Sequence, residues 1–177
     1  YDALKKADVA NFRYRDQLYM QLGDVCLELR KYDEAEEYFR KAKEINPKLS
    51  DASTGSEATR IGRTLEEGNK AFQEGRYEEA LKFFEEAINQ SPNSSGPYQL
   101  AAAALLALER YAEAKTKLLK AIELNPQDAK GYSLLGSVHH KMNEYQKALE
   151  VYRQGIAVAP ESFEIYNKIG LVYRDQD

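Results

Sequence analysis

Four segments of this chain superimpose without a gap, and that internal repetition restricts the fold more than any other feature. They are Tyr32-Asp-Glu-Ala-Glu-Glu-Tyr-Phe-Arg-Lys-Ala42, Tyr77-Glu-Glu-Ala-Leu-Lys-Phe-Phe-Glu-Glu-Ala87, Tyr111-Ala-Glu-Ala-Lys-Thr-Lys-Leu-Leu-Lys-Ala121 and Tyr145-Gln-Lys-Ala-Leu-Glu-Val-Tyr-Arg-Gln-Gly155. Each is followed five residues later by a proline: Pro47, Pro92, Pro126 and Pro160. The last two steps between segments are 34 residues and the first is 45. A period of that length marks stacked helical hairpins, because one hairpin cannot bury its own apolar face and its neighbours must do so. Local chemistry agrees. Acids follow the leading tyrosine at Asp33-Glu34 and Glu78-Glu79, which suits the positive end of a helix, and Lys41, Lys43 and Lys120 suit the negative end. Each proline stops its helix, since it lacks a backbone donor and disfavours helix in the residue before it. Pro97, after Ser94-Ser95, sits instead where a helix begins.

The full pattern resembles the tetratricopeptide repeat (TPR), a 34-residue unit made of helix A, a tight turn and helix B. The unit with Tyr132, Leu135-Gly136, Ala148, Tyr152, Gly155 and Pro160 carries the family signature, as does that with Tyr19, Leu22-Gly23, Ala35, Phe39, Ala42 and Pro47. The resemblance implies an all-α fold, a right-handed α-solenoid of stacked antiparallel helix pairs. It divides the chain into units at 16–47, 61–94, 95–128 and 129–162, with helix A of a fifth unit at 163–177, in one continuous domain. Small residues at Gly23, Gly68, Ala102, Gly136 and Gly170 fall where helix A must approach helix B closely. Residues 1–15 read as the tail of a preceding helix or an N-terminal helical extension. The ends of the repeat pattern suggest part of a longer array, and an apolar edge on the last helix suggests self-association there.

The 45-residue step carries an insertion at 48–60. Its serines, threonine, aspartate and glycine are loop formers, and Thr54 with Glu57 could form a capping box. A loop to about residue 55 is expected, with the following helix about a turn longer than usual. A surface loop is one reading; a functional loop or a hinge is the other.

Little else in the sequence points to chemistry. Acids and bases alternate, for a net charge of −4, so the basic face that a nucleic acid requires is missing. The longest apolar run, Leu100 to Leu108, is too short to cross a bilayer. A single cysteine, Cys26, excludes an internal disulfide framework and favours an intracellular, cytoplasmic setting. Adjacent His139 and His140 point about 100° apart on a helix and cannot share a metal. No nucleophile has a base beside it in the pattern, so neither catalysis nor a cofactor is expected.

What the resemblance implies instead is a concave surface lined by the A helices, where TPR proteins hold peptides. Carried onto this sequence, that surface includes Met20, Leu27, Leu65, Asn69, Phe72, Gln99, Leu100, Ala103, Leu106, Lys130, Leu134, Ser137 and Lys168. Chaperone adaptors of the family use five polar groups there as a clamp for the C-terminal acid of a heat-shock protein. Asn69 and Lys130 match two of them, but Leu65, Leu100 and Leu134 stand where a lysine, an asparagine and an arginine are needed. A leucine can neither donate to a carboxylate nor balance its charge. The expectation is a scaffold binding a protein partner through a peptide or amphipathic helix in an apolar groove. The alternatives are a self-assembling element, a groove filled by the chain itself, or a regulatory domain of a larger signalling protein or enzyme.

Overall fold

The computed structural model describes residues 14–176. They form helices only: α1 (Arg15–Glu28), α2 (Tyr32–Ile45), α3 (Ser50–Gln73), α4 (Tyr77–Gln90), α5 (Ser95–Ala107), α6 (Tyr111–Leu124), α7 (Ala129–Lys141), α8 (Tyr145–Val158) and α9 (Phe163–Gln176). The fold is an all-α helical repeat. Among the described residues no helix is long and apolar enough to cross a membrane.

The ends of these helices follow from local rules. Asn46, Ser91, Asn125 and Ala159 precede the four repeat prolines, and all have left helical geometry, with ψ between 71 and 86°. The turn inside each hairpin uses one left-handed residue: Arg30, Gly75, Glu109 or Asn143, with φ of 56 to 76°. After α1 the Lys31 amide donates to the Cys26 carbonyl (2.8 Å) and the Arg30 amide to that of Leu27 (3.0 Å). Two orphan carbonyls of the helix end are thereby satisfied. Arg110 to Leu105 and Glu109 to Leu106 repeat the arrangement after α5.

The chain forms two compact units, Tyr1–Glu66 and Glu67–Asp177, with the boundary inside α3. In the first unit Phe39 is fully buried. A β-carbon at Gly23 of α1 or at Gly55 of α3 would stand 2.5 Å from its ring, so the ring fills the space that both glycines leave. Cys26 and Ala35 are buried beside it, and Arg63 ties α3 to α2 through Asp33 (2.8 Å) and Glu36 (3.1 Å). In the second unit the same device recurs. Phe84 lies against Gly68 and Tyr152 against Gly136, and both rings are fully buried. Where the aromatic becomes Leu118, also fully buried, the opposing position can be Ala102.

The expected loop is not there. Residues 50–60, most of the stretch 48–60, are helical, and α3 runs for 24 residues. The loop formers are absorbed by bonding back along the helix: the hydroxyls of Thr54, Ser56, Thr59 and Thr64 donate to the carbonyls of Ser50, Ala52, Gly55 and Arg60. Ala52, Gly55 and Thr59 are buried, so their small size serves packing, and Gly62 abuts the ring of Tyr32. Eleven added residues are close to three helical turns. The insertion therefore lengthens the helix by whole turns and leaves its faces in phase. Of the segment 1–15 read as a preceding helix, only Tyr14 and Arg15 lie within the described residues; the remainder lies outside them.

Candidate functional site

Helix α1 carries polar and apolar side chains on the face toward the start of α3. In the first unit this face and the start of α3 enclose a groove of about 610 Å³. It is lined by Gln17, Met20, Gln21, Asp24 and Leu27 of α1, with Leu49, Asp51, Thr54, Gly55 and Ala58 opposite. Met20 and Leu27 are half-buried and pack on the Phe39 cluster, which fixes the apolar floor. Asp24 stands on the rim. Partial burial, then the charges of Glu28 and Asp51, push its carboxyl above the usual aspartate value. The structure thus brings Met20 and Leu27 together. The α3 side of the groove was invisible to sequence reasoning, because those residues read as a loop; the buried small residues at Ala52, Gly55 and Thr59, at helical spacing, were the available signal. Leu65, half-buried near the end of this unit, does not line the groove.

In the second unit Leu100, Ala103 and Leu106 of α5 and Leu134 of α7 are each half-buried. Asn69 and Phe72 lie on the last turns of α3, and the Phe72 ring packs edge-on against Tyr77, with centroids 5.2 Å apart. Gln99 does not face outward. It is buried, and its amide donates to the Asp128 carboxylate (2.8 Å), whose other oxygen caps the Lys130 amide at the start of α7.

A polar chain joins α7 to α9. The Ser133 hydroxyl donates to Glu164 (2.7 Å), and the Lys168 ammonium reaches Glu164 and the Ser137 hydroxyl, both at 3.0 Å. Ser137 also bonds the buried Tyr152 hydroxyl (3.2 Å). The Ser133 hydroxyl, then the Lys168 ammonium, hold the Glu164 carboxyl below the usual glutamate range, and the charge of Lys130 adds to this. Ser137 and Lys168 are therefore engaged within the fold. Lys130 and Leu134 line a cavity of about 190 Å³ together with Ser133, Glu164 and Ile165. The repeat pattern places Glu164 on the groove side of the last helix, but not as a neighbour of Lys130, which only the packing of α9 on α7 brings about.

The remaining candidates have structural partners. Buried His139 faces Glu144 (2.5 Å), and His140 meets Asp175 of α9 (3.0 Å). Among the described residues no three His, Cys, Asp or Glu side chains gather as a metal-binding set. On α9, Phe163 is 82% exposed, and Tyr166 and Tyr173 are about half exposed. A β-carbon on Gly170 would meet nothing within 4 Å.

Comparison with known proteins accords with this architecture. Models described as tetratricopeptide repeat match residues 17–49 and 71–138, and one described as TPR repeat matches residues 140–177. The Hsp70-Hsp90 organising protein of Plasmodium falciparum is 45% identical over 49 residues, which is 28% of this chain and 19% of that protein. The match thus spans about a fifth of the length of that relative. The TPR2B domain of yeast Sti1, solved as a complex with pHsp70, superimposes with a TM-score of 0.62 at 25% identity, covering 65% of this chain and 97% of that one. The first TPR of Spaghetti (RPAP3), bound to the HSP90 peptide SRMEEVD, gives 0.61 at 24% identity and covers 66% and 92%. MamA gives 0.60 at 24% identity over 88% of this chain and 84% of that one.

Proposed function

Since the chain belongs to the tetratricopeptide repeat family, we propose that it is a protein-interaction scaffold without catalytic activity. It holds a peptide or amphipathic helix by apolar side chains. The repeat units are those at 16–47, 61–94, 95–128 and 129–162. The observation that carries the reading is that Leu100 and Leu106 on α5 and Leu134 on α7 are each only half-buried. Relatives of the same fold are bound to heat-shock protein peptides, one of them ending in acidic residues. In this chain the positions that would grip such an acid hold Leu65, Leu100 and Leu134, and Lys130 already lies in the field of Glu164. A partner contributing leucine-like anchors fits better. Each anchor buried supplies ~1.5–3 kcal/mol before the ordering costs of binding.

Fluorescence anisotropy tests this with two labelled probes, an amphipathic peptide of leucine, alanine and glutamine that carries no basic residue, and SRMEEVD. The apolar peptide should bind, the acidic one should not, and Leu100→Glu with Leu134→Glu should abolish binding while helicity persists. Tighter binding of SRMEEVD than of the apolar peptide by the unmodified chain would refute the reading.

The exposed Phe163, Tyr166 and Tyr173 of α9 favour a second reading, self-association through that helix. Light scattering should then give a mass above monomer at high concentration. A constant monomer mass across the range removes this reading.

A further inference from the structure

We propose that the groove of the first unit is a docking site for a peptide segment that combines an apolar anchor with a basic side chain. The inference rests on the scaffold reading above and adds the chemistry of what one of its surfaces selects. The floor, Met20, Leu27 and Ala58, is apolar and can take a leucine-sized group. The rim supplies charge of one sign. Asp24 and Asp51 line the groove from opposite helices, and Glu28 follows one turn after Asp24.

These acids differ from the others of the same unit. Asp33 and Glu36 pair with Arg63, Glu37 with Lys41, Glu44 with Arg40 and Glu34 with Lys31. Among the described residues Asp24 and Glu28 have no cationic partner, and Asp51 accepts only the Ser50 hydroxyl (3.1 Å). Partial burial first, and then the charges of Glu28 and Asp51, hold the Asp24 carboxyl above its usual value, and a guanidinium or ammonium brought in by a ligand relieves the repulsion among the three acids. Charge complementarity thus excludes an acidic tail here and selects a basic, apolar segment.

The test uses the full chain and two probes, a short amphipathic peptide of leucine, alanine and arginine and its counterpart with glutamate at each arginine. The arginine peptide should bind about tenfold more tightly at low salt, the scale of two partly exposed ion pairs. The preference should shrink as salt is raised. Asp24→Asn with Asp51→Asn, exposed positions whose change leaves the core untouched, should remove most of the preference with circular dichroism unchanged. Leu100→Glu with Leu134→Glu should leave it in place. Equal binding of both peptides, or full preference in the asparagine variant, overturns the inference. Loss of arginine-peptide binding only in the leucine variant also overturns it while the scaffold reading stands; failure of both peptides to bind any form overturns both.

Discussion

Gly136 and Gly170 occupy the same place in successive repeats, yet alanine should have opposite effects at the two. At Gly136 an added β-carbon would lie well inside van der Waals contact of three ring carbons of Tyr152, the farthest at 2.7 Å, where carbon atoms prefer about 3.5–4.0 Å. Tyr152 has no exposed surface and its hydroxyl is held by Ser137, so the ring has no room to retreat. Overpacking of that kind costs about 1–3 kcal/mol, here at the upper end, and alanine returns about 1 kcal/mol of helix propensity, for a net loss of about 2 kcal/mol. At Gly170 the added carbon meets nothing, and only the propensity gain of up to about 1 kcal/mol remains. Urea denaturation followed by circular dichroism should separate the two variants by about 3 kcal/mol. Equal destabilisation of both would refute the packing argument. It would also mean that the open face of α9 is covered in solution, which the light-scattering experiment would then detect as association.

Glu109 holds a left-handed turn with φ 59°. Glu109→Gly should therefore stabilise the chain by about 0.5–1 kcal/mol, the ~1–2 kcal/mol penalty of that conformation less the added freedom of the unfolded glycine, read as a rise in thermal midpoint. Acid should loosen the packing of α9. Hydrogen bonds from Ser133 and then Lys168 lower the Glu164 carboxyl, and those from Arg174 and then His140 lower that of Asp175. Groups depressed on folding stabilise fully above their unfolded values, near 4.5 and 3.8, and lose that contribution as pH falls through the folded values. Hydrogen exchange of α9 amides should accelerate across that interval, and Glu164→Gln should flatten the response; an unchanged profile in the variant would show that Glu164 is not the titrating link.

Much of the architecture was legible because its causes are local. The spacing of Tyr77, Tyr111 and Tyr145, the stops before Pro47, Pro92, Pro126 and Pro160, and the small residues at Gly23, Gly68 and Gly136 all act on their own hairpin. The left-handed turns were harder to see, since only Gly75 and Asn143 of the four are residues that favour that conformation. The stretch 48–60 was misread for a related reason. Serine, threonine and glycine suit a loop when considered alone, but against the Phe39 ring the same small side chains make a packing face.

The sequence by itself determined that this chain makes paired helices and where the helices before Pro47, Pro92, Pro126 and Pro160 stop. Only the tertiary structure decided which side chains remain free to meet a partner. Gln99 is drawn into a bond with Asp128, Lys168 of α9 is tied to Ser137 of α7, and Asp24 and Asp51 are brought to line one groove. Helix ends depend on neighbours a few residues away along the chain. Pairings such as these join residues about thirty positions apart, and they exist only once the helices have stacked.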